Sequence, residues 1–149
     1  MKIAVAGTGY VGLSNAVILA QHHDVVALDV DEAKVALINQ RRSPLVDPEL
    51  EEYLSGHELS LRATLDESEA YPGAAFVVVA TPTDYDERSH FFDTSTVEHV
   101  IARVQAIEPN AVVVVKSTVP VGFTERMRAE HPGLRIVFST EFLREGRAL

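Results

Sequence analysis

The feature that most constrains the fold is a glycine hexamer near the start of the chain. Gly7-Thr8-Gly9-Tyr10-Val11-Gly12 reads G-x-G-x-x-G, follows an apolar run over 3–6 and opens a stretch of helical period over 11–22. A second apolar run, 24–28, ends against Asp29, twenty residues beyond Gly9. Strand, glycine turn, helix, strand and acid together make a βαβ unit of about thirty residues. In such a turn Gly7 permits the tight bend, Gly9 lets a pyrophosphate approach the backbone, and Gly12 lets helix and strand pack closely. The helix N-terminus adds unpaired N–H groups and partial positive charge for the phosphates. A carboxylate at 29 accepts hydrogen bonds from the adenosine ribose hydroxyls and repels a 2′-phosphate. Val30 and Asp31 follow it, so no arginine adjoins it to welcome NADP. The expected cofactor is NAD. Two other readings compete: an ordinary glycine turn with Asp29 as a cap, and the Gly-rich turn of an S-adenosylmethionine methyltransferase. The first leaves the shared register of strand, helix and acid unexplained, and the second does not need three glycines at this spacing.

The rest of the chain continues the alternation of short β-branched runs and helical stretches. Strands are expected over 59–63, 76–80, 111–116 and 134–138. Helices are expected over 31–40 with Asp31 as N-cap, over 48–54 behind a first-turn proline, and over 123–130. Another carries Val97, Val100, Ile101, Val104 and Ile107 on one face, and 84–93 reads as a polar loop. Continuous apolar strands imply a parallel sheet covered on both faces. The expected fold is therefore α/β, a doubly wound Rossmann sheet of order 3-2-1-4-5-6 in one domain over 1–149.

Composition removes several function classes. The 149 residues include no cysteine, which excludes a disulfide scaffold, a Cys-ligated metal site and a thiol nucleophile within the chain. Acidic residues outnumber basic ones 22 to 13, the opposite of a phosphate-backbone binder, so nucleic acid is disfavoured as a partner. The six histidines show neither H-x-x-x-H nor H-E-x-x-H spacing, and no metal is expected. Ser14, Ser117 and Ser139 lack the context of a nucleophile elbow, and Glu49, Glu51 and Glu52 read as a charged helix face. No apolar run approaches the ~18 residues of a membrane span, so the expectation is a cytoplasmic protein with no membrane partner.

Four motifs occur in order: Gly7-Thr8-Gly9-Tyr10-Val11-Gly12-Leu13-Ser14, Ala80-Thr81-Pro82-Thr83-Asp84-Tyr85-Asp86, Lys116-Ser117-Thr118-Val119-Pro120-Val121-Gly122 and Glu141-Phe142-Leu143-Arg144-Glu145-Gly146. With them the chain resembles the nucleotide-sugar 6-dehydrogenases along its whole length, most closely the bacterial UDP-glucose 6-dehydrogenases. The resemblance implies a longer protein: an NAD-binding domain, a central helical region that makes a homodimer, and a second domain for the nucleotide. Its reaction oxidises the sugar C6 twice, with two NAD⁺ and a covalent intermediate on one cysteine. A chain without cysteine is then a fragment, an excised domain or a relative that has lost the chemistry.

Carried onto this sequence, the resemblance implies cofactor contacts at the glycine turn (Gly7, Gly9, Tyr10, Val11 and Gly12), at Asp29 and at Thr83, with Lys34 near the adenosine ribose. The resemblance likewise implies that Thr118 touches NAD and helps order a water or the sugar hydroxyl, and that Glu141 is the proton acceptor of the hydrolytic half-reaction. It implies a sugar-binding loop at Glu141, Phe142, Leu143, Arg144 and Glu145, with Glu145 also facing the nicotinamide. Ser139-Thr140-Glu141 departs from the family's usual Ser-Pro-Glu. Independently of the family, Thr83, Thr118 and Glu141 each follow an expected strand, at the carboxyl edge where ligands of doubly wound sheets bind. Taken alone, the two threonines also fit turn caps, Glu141 with Glu145 a solvated helix face, and Lys34 a surface lysine. Two further functions stay open: a dehydrogenase of another nucleotide sugar, GDP-mannose or UDP-N-acetylmannosamine, and a stand-alone NAD-binding or redox-sensing module.

Overall fold

The computed structural model describes residues 1–88 and 91–142. Strands β1 (Lys2–Ala6), β2 (Asp24–Leu28), β3 (Leu61–Thr64), β4 (Phe76–Val79), β7 (Val112–Val115) and β8 (Arg135–Phe138) form one sheet of order β3-β2-β1-β4-β7-β8. Every pairing within it is parallel. Numbered among themselves, these six strands stand in the expected order 3-2-1-4-5-6.

Alternate strand residues feed two separate cores. Ile3, Val5, Val25 and Ala27 pack with Leu13, Ala16, Val17 and Ala20 of helix α1 (Tyr10–Ala20). On that side lie also Val35 and Ile38 of α2 (Glu32–Asn39), and Leu50 and Leu54 of α3 (Pro48–Gly56). Ala4, Ala6, Val26, Val77, Val79, Val113 and Val115 face the other way. They meet Ala70 of α4 (Glu67–Ala70), Val97, Ile101 and Val104 of α5 (Ser95–Ile107), and Phe123 and Met127 of α6 (Phe123–Glu130). Coverage thins at one end of the sheet. Val112 and Val114 are only half-buried, and Val137 on the edge strand is 39% exposed.

Two features depart from the sequence reading. Part of the expected polar loop is a two-stranded antiparallel hairpin, β5 (Asp84–Asp86) with β6 (Phe91–Asp93), in which Tyr85 and Phe92 rings stand 4.7 Å apart. Its strands are three residues each, too short to show a period of two against Asp-rich surroundings. The four-residue α4 was also not expected. Asp66 is its N-cap, accepting from the Ser68 N–H, and a single turn has too few positions to reveal a helical face.

Candidate dinucleotide-binding cleft

The carboxyl ends of β1, β2, β4 and β7 open into a cleft of about 1050 Å³. That is at the upper end of small-molecule sites, as an extended dinucleotide requires. Its walls include Gly7, Gly9, Tyr10, Val11, Asp29, Lys34, Thr83, Thr118 and Glu141, residues drawn from separate segments of the chain. Gly12 does not line it. A Cβ there would lie 1.8 Å from the Gly7 carbonyl oxygen, so Gly12 serves helix–strand contact. Phe142 is 91% exposed and absent from the walls. Leu143, Arg144 and Glu145 lie outside the described residues.

Whether these residues fit a dinucleotide is tested by what each glycine adjoins. Gly7 has φ +93°, and a Cβ on it would meet the Ala80 carbonyl oxygen at 2.5 Å, so the fold itself demands glycine. Gly9 is different. It lines the cleft with φ −72°, open to any residue, and a Cβ there would meet nothing within 4 Å. The space beside Gly9 belongs to the cleft, and glycine leaves it clear for a group that must approach the backbone. The helix behind it agrees. Helix α1 has no side-chain cap and no acid in its first turn, whereas α2, α3 and α4 have a capping Asp, and all three carry acids there. The N-terminal N–H groups and dipole of α1 are left for an external anion.

Asp29 stands directly after β2. Its Oδ2 accepts from both the N–H (2.8 Å) and the hydroxyl of Thr8, and its Oδ1 accepts from the Asp31 N–H at 3.0 Å. Burial pushes the carboxyl up, but the Thr8 and Asp31 hydrogen bonds and the nearby Lys34 ammonium outweigh it, leaving Asp29 below its ordinary range. It is a fixed anion at neutral pH. Asp31 in turn caps α2, accepting from Ala33 and Lys34 N–H groups, which places Lys34 on the cleft wall.

At the other end the segments after β4, β7 and β8 are cross-tied. Ser117 Oγ donates to the Thr81 carbonyl at 2.7 Å, and Thr96 Oγ1 on α5 donates to that of Pro82 at 2.8 Å. Glu141 Oε2 meets Lys116 Nζ at 3.1 Å, both side chains largely buried. Burial raises the Glu141 carboxyl, but Lys116, the Phe142 N–H and Asn15 override it and hold it below its usual value. The sequence reading missed Lys116 as a site residue, along with Val30, Thr81 and Ser117, all of which line the cleft. Lys116 belongs to one of the four motifs but also to the strand expected over 111–116; the strand ends at Val115, which puts Lys116 one residue beyond it at the carboxyl edge. Among the described residues no group of three or more His, Cys, Asp or Glu side chains is close enough to hold a metal ion.

The sequence matches the model of the UDP-glucose/GDP-mannose dehydrogenase family, NAD binding domain, over residues 1–149. The chain belongs to this family. It is 48% identical to a UDP-glucose 6-dehydrogenase of Streptococcus pneumoniae and 45% identical to one of Campylobacter jejuni, in each case over all of the chain and 38% of the relative. Among solved structures, GDP-mannose dehydrogenase of Pseudomonas aeruginosa superposes with a TM-score of 0.85 at 28% identity, over 99% of this chain and 38% of that one. A UDP-glucose dehydrogenase of Pyrobaculum islandicum gives 0.81 at 34% identity, over 99% and 37%. The chain thus spans under two-fifths of the relatives it matches, and the family assignment makes its cofactor NAD. Among the described residues no helix is long and apolar enough to cross a membrane.

Proposed function

We propose that this chain is the cofactor half of a cytoplasmic, homodimeric UDP-glucose 6-dehydrogenase, with the nucleotide-sugar contacts and the thiol supplied by polypeptide outside these 149 residues. The observation that carries the reading is convergence. Thr83, Thr118 and Glu141, from motifs far apart in sequence, line the same cleft as Gly9 and Asp29. A stand-alone NAD module needs only the glycine turn and the acid. The curated relatives support UDP-glucose over other nucleotide sugars, since the two most similar of those cited are both UDP-glucose 6-dehydrogenases.

Each residue then has a role. Gly9 and the first turn of α1 receive the pyrophosphate, and Asp29 with Lys34 receives the adenosine ribose. NAD, when bound, supplies the hydride acceptor. Thr83 and Thr118, both on the cleft wall, would help hold the cofactor, and Thr118 would order the sugar hydroxyl or a water. Glu141, kept ionised by Lys116, takes the proton from that water. Phe142, Leu143, Arg144 and Glu145 are assigned to recognition of the sugar, and Glu145 also to the cofactor.

The test separates binding from turnover. The 149-residue chain should bind NAD⁺ by calorimetry yet form no reduced cofactor with UDP-glucose. Holding the sugar against the nicotinamide is worth ~7–11 kcal/mol, and no anchor for the nucleotide is assigned here. The acyl intermediate also needs a thiolate, and the chain has no cysteine. The longer polypeptide that carries it should reduce two NAD⁺ per UDP-glucose. Sustained turnover by the chain alone, or preference of the longer protein for GDP-mannose, would overturn the reading.

A further inference from the structure

Thr8, the residue between the first two glycines, is fully buried. Its N–H and hydroxyl donate to one and the same oxygen of Asp29. A carboxylate offers about four acceptor sites. Thr8 occupies both on Oδ2 and the Asp31 N–H takes one on Oδ1, which leaves one Oδ1 site for the cleft that Asp29 lines. Turning the carboxylate breaks two bonds at once. Gly7 fixes the position of Thr8 in turn, because its N–H donates to the Leu28 carbonyl at 2.8 Å and its α-carbon lies against Ala80.

From this we propose that Thr8 is a positioning residue that sets cofactor choice: it locks Asp29 in the one orientation that reads a free ribose hydroxyl and cannot swing aside for a 2′-phosphate. The proposal rests on Asp29 as the ribose-binding acid. A carboxylate free to rotate relieves part of its repulsion with the phosphate by turning away and loses part of its grip on the hydroxyl. A locked one does neither. Discrimination between NAD and NADP then belongs to the Thr8–Asp29 pair and not to Asp29 alone.

A double-mutant cycle on the 149-residue chain tests this, with NAD⁺ and NADP⁺ titrated calorimetrically into the wild type, Thr8→Val, Thr8→Ser, Asp29→Ala and Thr8→Val/Asp29→Ala. Thr8→Val keeps the shape and the backbone N–H but removes the hydroxyl donor, and it should weaken NAD⁺ about tenfold, the size of one charge-assisted hydrogen bond, while narrowing the preference over NADP⁺. Thr8→Ser retains a hydroxyl and should bind and discriminate as the wild type does. In the Asp29→Ala background Thr8→Val should change nothing, an interaction that a purely structural role of Thr8 does not produce. Unchanged affinity and preference in Thr8→Val, or the same loss in both backgrounds, would overturn the proposal. An Asp29→Ala chain that binds and discriminates as the wild type would overturn the ribose reading and the proposal with it, a result distinct from failure of Thr8 alone.

Discussion

The three glycines of the turn are alike in sequence and unlike in what they adjoin, so a methyl group added at each should report separately on fold and ligand. At Gly9 an alanine has open space and an allowed backbone, with nothing within 4 Å of the new Cβ. Alanine is the poorer N-cap, at a cost of ~0.5–1 kcal/mol. It also restricts the unfolded chain, worth ~0.4–1 kcal/mol in the opposite direction. The two nearly cancel, and Gly9→Ala should melt within about 0.5 kcal/mol of the wild type. Its methyl, however, projects into the cleft, where the proposed function puts the pyrophosphate. Losing one charge-assisted N–H contact costs ~1.5–3 kcal/mol, or about tenfold to a hundredfold in NAD affinity. At Gly12 the same methyl is driven to 1.8 Å from the Gly7 oxygen, a backbone atom that cannot rotate away. Overpacking of this kind costs ~1–3 kcal/mol and sometimes more, a large part of a total of about 5–15. Melting curves with and without NAD read both effects. At cofactor one hundred times its Kd the wild type gains ~2.7 kcal/mol, and tenfold weaker binding leaves ~1.4. A Gly9→Ala chain with the full cofactor-induced gain, or a Gly12→Ala chain that melts with the wild type, would refute this division of labour.

The sheet and its order were legible because parallel strands covered on both faces read as unbroken apolar runs. Phe76–Val79 and Val112–Val115 admit no other reading once helical stretches separate them. The glycine turn and Asp29 were legible for a related reason: their spacing is fixed by covalent geometry and the rise of a strand, so sequence distance translates directly into position. The hairpin is held by the pairing of two three-residue strands and one ring contact, and α4 by a single cap, and neither is long enough to leave a period to read. The pairing of Lys116 with Glu141 joins residues 25 apart, beyond the ends of the adjacent strands β7 and β8, and its register only the folded sheet supplies. Thr8 shows the same limit within one motif. Its position was plain, but the hydrogen bond across to Asp29 is a property of two neighbouring strand ends.

Two further outcomes follow from groups with defined partners. Asp47 is 3% exposed and caps α3, accepting from the Glu49 and Leu50 N–H groups at 3.0 and 3.1 Å. Asp47→Ala should therefore lower stability by ~1–2 kcal/mol in urea unfolding, with Asp47→Asn retaining most of it; an alanine variant indistinguishable from the wild type would remove the cap from the account. Asp29 predicts how cofactor binding depends on acid. Its carboxyl lies below the ordinary value of 3.8, because the Thr8 and Asp31 hydrogen bonds and Lys34 prevail over the opposing effect of burial. For an acid depressed in the folded state, the stabilisation is fully present above the unfolded value and is lost as pH falls through the lower, folded one. NAD affinity should accordingly be flat from neutrality down to about pH 5 and fall only below the ordinary Asp range. Removing the Thr8 hydroxyl takes away one of the bonds that lower Asp29, so in Thr8→Val the acid limb should move upward, towards the ordinary value. Calorimetric titration of NAD⁺ across that range checks both limbs. Affinity in the wild type that already declines between neutrality and about pH 5 would show that a group other than the locked carboxylate governs binding.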